Sequence, residues 1–205
     1  KALTAIPSIA TLIVLVRLDG APLGYVIAPV RAGLCDGPSI LRAARATLIG
    51  RALRQGVAAA LLEKVAASTS TVPSLTVAVC TRERPDDLSC CLTSLAQFVD
   101  VEFEVVVVDN APPGGATVSQ VVEGFPGIRY VREIRPGLSW ARRRAIAAAG
   151  NDVIAFVDDD VRVDRGWAAA LRRPFAEDPG VMAVLGLVAP MELHDEAQVR
   201  FERHG

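Results

Sequence analysis

The stretch Asp152-Val-Ile-Ala-Phe-Val-Asp158-Asp159-Asp160 joins an unbroken apolar run to three consecutive carboxylates. Val153 to Val157 are mostly β-branched or aromatic and are bounded by Gly150-Asn151 and by acids, which predicts a strand buried on both faces. Like charges on neighbouring residues repel, and at the edge of a low-dielectric sheet their pKa values rise unless a cation sits among them. The two-residue period of a strand sends Asp158 and Asp160 to one side and Asp159 to the other, so the first and third acids can share a ligand. Hard oxygen donors of this kind suit Mg²⁺ or Mn²⁺, which keep positions open for substrate phosphates. The plainer alternative is that the trio caps a turn and solvates a strand end, and three aspartates alone do not decide between the two.

A chain of 205 residues can bury one substantial α/β core, or a core with a small appendage. Its 51% hydrophobic and 22% charged composition is that of a globular protein, and a net charge of -1 argues against nucleic acid as the main partner. Arg17, Arg31, Arg42, Arg45, Arg51 and Arg54 nevertheless crowd the first third. They form either a solvated helix face or a basic surface for an anionic partner, such as the inner face of a membrane. Cys35, Cys80, Cys90 and Cys91 show no CxxC spacing and only two histidines accompany them, so neither a zinc site nor a disulfide framework is expected. A reducing, cytoplasmic setting follows from that usage. Ala5 to Val16 is too short and too interrupted to span a bilayer and lacks the layout of a secretory signal. The sequence opens on Lys1, so the natural start is expected to precede it.

Along the chain, Thr11 to Arg17 and Tyr25 to Ala28, separated by Asp19-Gly20, predict a β-hairpin. Pro38 to about Ala67 has helical spacing interrupted at Gly50 and Gly56, which predicts one or two helices. Residues 1–67 therefore read as a hairpin-helix accessory segment, 68–74 as a polar, Pro-containing linker, and 75–205 as the main domain. In that domain strands and helices alternate, the signature of a layered α/β sheet. The expected strands are Leu75 to Cys80, Phe103 to Val108, Ile128 to Val131, Val153 to Val157 and Val181 to Val188. Expected helices run from Asp86 to Phe98, Thr117 to Phe125, Ser139 to Ala149 with Ser139 as cap, and Asp164 to Asp178 around Pro174.

In open α/β sheets the ligand crevice lies outside the carboxyl ends of the strands. Three strands here finish in Thr81-Arg82, Asp109-Asn110 and Asp158 to Asp160. A carboxylate such as Asp109 can accept from a nucleobase N–H or a ribose hydroxyl, or it can cap its own loop. Arg82, Arg84 and Arg142 are candidates for phosphate or base contacts because guanidinium presents a planar fork. Arg142, Arg143 and Arg144 are consecutive on a helix, so one is expected to point inward and two outward. Gly137 either lets a ligand approach the backbone or permits a positive φ before the helix.

Four motifs in order, Val-Cys-Thr-Arg-Glu-Arg-Pro, Val-Val-Val-Val-Asp-Asn, Pro-Gly-Leu-Ser-Trp-Ala-Arg-Arg-Arg and Phe-Val-Asp-Asp-Asp, make Leu75 to Gly205 resemble the family-2 glycosyltransferases. The resemblance implies a GT-A, Rossmann-like fold with a mostly parallel sheet flanked by helices. It also implies inverting transfer of a sugar from a nucleotide-sugar donor, a UDP- or GDP-sugar, with Mg²⁺ or Mn²⁺ bridging the diphosphate. By matching position Thr81 and Asp109 would hold base and ribose, Arg142 would lie beside the base, Asp158 would contact ribose or sugar, and Asp160 would ligate the metal.

Relatives of that kind carry a catalytic carboxylate in a Glu-Asp-type segment well beyond the Asp-x-Asp motif, whereas this sequence runs only to Gly205. The expectation is a donor-binding part whose general base lies beyond the C-terminus. Glu192, Asp195 and Glu196 are late acids in a context that reads as ordinary surface, and none is assigned as the base. The competing reading is a catalytically incomplete domain that binds nucleotide and metal without turnover. A phosphatase of the haloacid dehalogenase type fits less well, because its acids follow the first strand and precede Gly-Thr, whereas these follow the fourth strand of the α/β region and precede Val161-Arg162.

Overall fold

Apolar runs that need cover on both faces organise the larger part of the chain into a parallel sheet sandwiched by helices. The computed structural model describes residues 3–4, 11–18, 21–65, 72–97, 103–112, 114, 117–164, 166–191, 197–198 and 200. The chain divides into two compact units, Lys1–Thr69 with Gly186–Gly205, and Ser70–Leu185.

In the first unit a two-residue strand, β1 (Leu3–Thr4), pairs with a second, β4 (Leu34–Cys35). The hairpin strands β2 (Thr11–Leu18) and β3 (Ala21–Pro29) are antiparallel, and their register shifts between Val16 and Arg17. Gly24, opposite Val16, has φ 136°, and a Cβ there would sit 2.9 Å from an Arg51 nitrogen and 3.2 Å from Leu48, so only glycine fits. The intended turn at Asp19-Gly20 lies outside the described residues. One helix, α1 (Gly37–Val65), continues through both Gly50 and Gly56 rather than breaking at them. Glycine weakens a helix by only about 1 kcal/mol relative to alanine. Burial of Leu48 against Leu23 and Val26 of the hairpin supports α1 through its first half. Asp36 accepts the Ser39 N–H at 2.6 Å at the helix start.

The second unit alternates β5 (Leu75–Thr81), α2 (Pro85–Ala96), β6 (Glu104–Asn110), α3 (Thr117–Glu123), β7 (Arg129–Glu133), α4 (Leu138–Ala148), β8 (Val153–Asp158) and α5 (Trp167–Glu177). All pairings are parallel and the order is β7-β6-β5-β8. The two-residue period sorts the side chains. Leu75, Val77, Val79, Val105 and Val107 pack beneath Leu88, Cys91, Leu92 and Leu95 of α2, Val118 and Val122 of α3 and Ala168 of α5. Ala78, Val106 and Val108 face Ala141 and Ala145 of α4 on the other side. The chain thus steps outward from β5 to β7 and returns through α4 to the far side of β5. Strand order reverses between β5 and β8, where an open α/β sheet forms its ligand crevice.

Three expectations are corrected. Among the described residues β8 is an edge strand, with Ala155 and Val157 buried on one face, while on the other Ile154 is only partly buried and Phe156 is 39% exposed, so the second face is incompletely covered. Val181 to Val188 forms no strand, and Met182 and Leu185 are exposed. An apolar run becomes a strand only where a neighbour takes its backbone hydrogen bonds, and no described segment does so here. Ser139 does not cap α4. The residue before the helix is Gly137 at φ 123°, with no side-chain cap.

Leu92 is fully buried between α2 and the sheet. Leu92→Ala should lower the stability of the chain by about 2–5 kcal/mol in urea unfolding, the usual loss for a buried leucine.

Candidate functional site

Parallel pairing places the polar strand ends side by side. Thr81 is the register partner of Asp109, and Cys80 that of Asp158. Neighbouring strands lie about 4.8 Å apart, so the C-terminal ends of β6, β5 and β8 form one edge.

Asp109 is 2% exposed. Its Oδ2 accepts the Tyr130 hydroxyl at 2.7 Å, whereas its buried Oδ1 has no hydrogen-bond partner among the described residues. A buried anionic oxygen without a donor is costly, so Oδ1 is suited to receive an N–H or O–H from a ligand. Burial, helped by the hydrogen bond to Asp109, pushes the Tyr130 phenol up to about 12. Next along β6, Asn110 donates to the Arg135 carbonyl at 2.7 Å and accepts the Gly137 N–H at 2.8 Å, which fastens the start of α4 to the same edge. Glu133 is held down to about 2 by the side-chain and backbone hydrogen bonds of Arg135, whose guanidinium also lies 3.8 Å over the Trp140 ring.

The acid triplet divides in two. β8 ends at Asp158, and the Val161 N–H reaches back to the Asp158 carbonyl at 3.2 Å, so a turn rather than continuing strand carries Asp159 and Asp160. The Asp158 and Asp160 side chains are 67% and 59% exposed. Each has a cationic neighbour: Arg142 lies 4.0 Å from Asp158, and Arg84 pairs with Asp160 at 3.5 Å. Asp159 is turned inward and 6% exposed, accepting the Thr81 hydroxyl at 2.7 Å and an Arg84 N–H at 3.3 Å. Thr81 is itself buried, and its hydroxyl hydrogen is committed to that bond.

Of the expected site residues, Thr81, Arg84, Asp109, Arg142, Asp158 and Asp160 come together at this edge. Arg82 instead pairs with Glu83 at 3.5 Å. Arg142, Arg143 and Arg144 are all exposed, so none is the inward member anticipated; Arg142 lies 5.6 Å from the Phe156 ring and Arg143 lies over Trp140. Glu192, Asp195 and Glu196 lie outside the described residues. Asp159, Tyr130 and Glu133 join the edge without a motif of their own to mark them. The one signal for Asp159 was its odd place in an alternating triplet.

The donor set fits a divalent cation. Among the described residues no group of three or more acidic, His or Cys side chains is gathered to hold a metal. An ion here would rest on one or two carboxylates and on ligand oxygens, the habit of Mg²⁺ and Mn²⁺ at phosphate sites. Asp158 and Asp160 supply such oxygens and are open to solvent. Cys80 and Cys91 nearby are poor ligands, because burial pushes their thiols up to about 11 and about 12.

The profile of glycosyl transferase family 2 matches residues 76–198, and the chain belongs to that family. The uncharacterized protein MT1568 of Mycobacterium tuberculosis (strain CDC 1551 / Oshkosh) is 36% identical over 92 residues, 44% of this chain and 28% of that protein. Among solved structures, the mannosyltransferase PcManGT from Pyrobaculum calidifontis, in complex with GDP-Man and Mn²⁺, is 26% identical over 55% of this chain and 34% of its own, with a TM-score of 0.49. TarS of S. aureus is 24% identical over 51% of this chain and 32% of its own, with a TM-score of 0.46. The chain therefore spans about a third of the length of these relatives.

Two outcomes are expected. Tyr130→Phe removes the donor to buried Asp109 and should lower stability by about 1–3 kcal/mol in denaturant unfolding, the usual penalty for an orphaned buried acceptor. Glu133 has a depressed folded pKa, so its contribution is fully present above the ordinary glutamate range and is lost as pH falls towards about 2. The acid limb of a stability–pH curve for Glu133→Gln should be shallower than wild type between about pH 4.5 and pH 2.

Proposed function

We propose that this chain is the donor-binding part of a glycosyltransferase that moves a sugar from a UDP- or GDP-sugar with inversion, aided by Mg²⁺ or Mn²⁺. The observation that carries the reading is the juxtaposition, on one sheet edge, of a buried unsatisfied carboxylate oxygen at Asp109 with the exposed pair Asp158 and Asp160. Asp109 would receive a base N–H or a ribose hydroxyl. Arg142, exposed beside Asp158, would flank the base, and Asp158 would meet ribose or sugar. Arg82 and Arg84, in the loop that follows β5, complete the proposed nucleotide-binding set. Asp160, with Asp158, would hold the divalent ion, which when bound supplies positive charge to offset the negative charge that develops on the departing diphosphate. Positioned cations and donors of this sort lower the barrier most when they act on charge that appears only in the transition state.

Inversion also requires a carboxylate within reach of the acceptor hydroxyl. Among the described residues no helix is long and apolar enough to cross a membrane. We place the protein in the cytoplasm on the strength of its free cysteines. The exposed arginines Arg42, Arg45 and Arg54 of α1 suit peripheral contact with an anionic membrane face.

Isothermal titration of UDP- and GDP-sugars with and without Mn²⁺, beside a donor-hydrolysis assay, tests the reading. Metal-dependent binding of one nucleotide class with turnover is expected. Binding without hydrolysis would favour a nucleotide-holding domain that is catalytically incomplete, and absence of nucleotide binding would sink both.

A further inference from the structure

Asp159 has no ligand role in the proposed function, yet it is the most deeply buried acid of the triplet. Burying a carboxylate costs several kcal/mol unless it is paired and hydrogen-bonded. Both of its oxygens are accounted for. Oδ2 takes the Thr81 hydroxyl at 2.7 Å and Oδ1 takes Arg84 at 3.3 Å, so the middle of the triplet is tied to the end of β5 and to the loop before α2. The rest of the turn is clamped to α2. The Cys91 thiol donates to the Asp158 carbonyl at 3.7 Å, and the Val163 N–H donates to Ser94 Oγ at 3.2 Å, which itself donates to the Cys91 carbonyl at 2.7 Å.

We infer that Asp159 is a positioning residue: anchored by Thr81 and Arg84, it fixes the turn that holds Asp158 and Asp160 out together for a divalent ion. This rests on the function proposed above and assigns Thr81 a role through Asp159 rather than through direct contact with base or ribose. The division of labour follows from the geometry. Asp158 and Asp160 are largely exposed, with Arg142 4.0 Å from the first and Arg84 3.5 Å from the second, and keep oxygens accessible, whereas Asp159 could reach a metal only by giving up the Thr81 bond and leaving its pocket. Loss of the Thr81 hydroxyl frees the inward acid, and the outer pair loses its fixed spacing. Arg84 spans Asp159 and Asp160, at 3.3 and 3.5 Å, so one guanidinium offsets the inner acid and lightens repulsion in the outer pair.

The test uses Thr81→Val, which keeps shape and strand preference but deletes the hydroxyl, and Thr81→Ser, which restores it. Dissociation constants for UDP and GDP are measured by isothermal titration on the full chain in EDTA and in Mn²⁺. The quantity read is the gain in affinity that Mn²⁺ confers. Thr81→Val should lose about tenfold or more of that gain, as is usual when the partner that orients a metal ligand is removed. Its affinity in EDTA should stay near wild type, and Thr81→Ser should recover the gain. Asp159→Ala removes the acceptor at the other end of the same bond, with a loss in the same direction expected. The inference is overturned if Thr81→Val keeps the full Mn²⁺ gain. It is also overturned if affinity falls equally in EDTA and Mn²⁺, which would mark Thr81 as a direct nucleotide contact or a purely structural residue. A wild-type chain that binds neither nucleotide in either condition sinks the proposed function itself, and the positioning role with it.

Discussion

Everything at the site depends on the parallel pairing of β5 with β6 on one side and β8 on the other. That pairing buries valines on both faces of the sheet and fixes which residues emerge together where the strands end. A slip of one residue between β5 and β8 would exchange every inward and outward side chain. It would bring Asp158 where Asp159 now lies and turn Asp159 out of its place beside Thr81 and Arg84. The hydrophobic pattern of the strands and the polar geometry of the edge are therefore one constraint.

The two ends of the sheet are finished differently. At the amino ends, polar groups satisfy one another. Ser74 and Asp152 exchange hydrogen bonds between the starts of β5 and β8, Thr76 and Gly150 donate to Glu104, and Arg129 pairs with Glu104 at 2.6 Å. At the carboxyl ends an oxygen of Asp109 has no donor among the described residues, and Asp158 and Asp160 are largely exposed. Unmet hydrogen-bonding capacity concentrated at one edge is what distinguishes a site from a staple. The reversal of strand order between β5 and β8 opens space there.

Much of this was legible in the sequence because it rests on local chemistry. Unbroken apolar runs bounded by polar residues gave β5, β6 and β8, and their acidic or hydroxylic termini marked the edge. What could not be read was anything that depends on which segments become neighbours. Phe156 looks as buried as Val157 in a string of letters, and only the edge position of β8 exposes it. Val181 to Val188 has the composition of a strand but no described partner. Ser139 resembles a cap, yet Asn110 reaches across from β6 to hold Gly137 and sets the start of α4 itself. Asp159 was invisible as an anchor because its partners Thr81 and Arg84 lie 78 and 75 residues away in the chain.

In the proposed function a divalent ion and a nucleoside diphosphate meet at the ends of β8, β5 and β6. Paramagnetic broadening of backbone amide signals in the isotopically labelled chain, with UDP or GDP and substoichiometric Mn²⁺, reads the location of the ion directly. Broadening centred on Asp158 to Val161 and extending to Asp109, dependent on nucleotide, is the predicted result. Broadening centred elsewhere, or spread over the surface and unchanged by nucleotide, would contradict it.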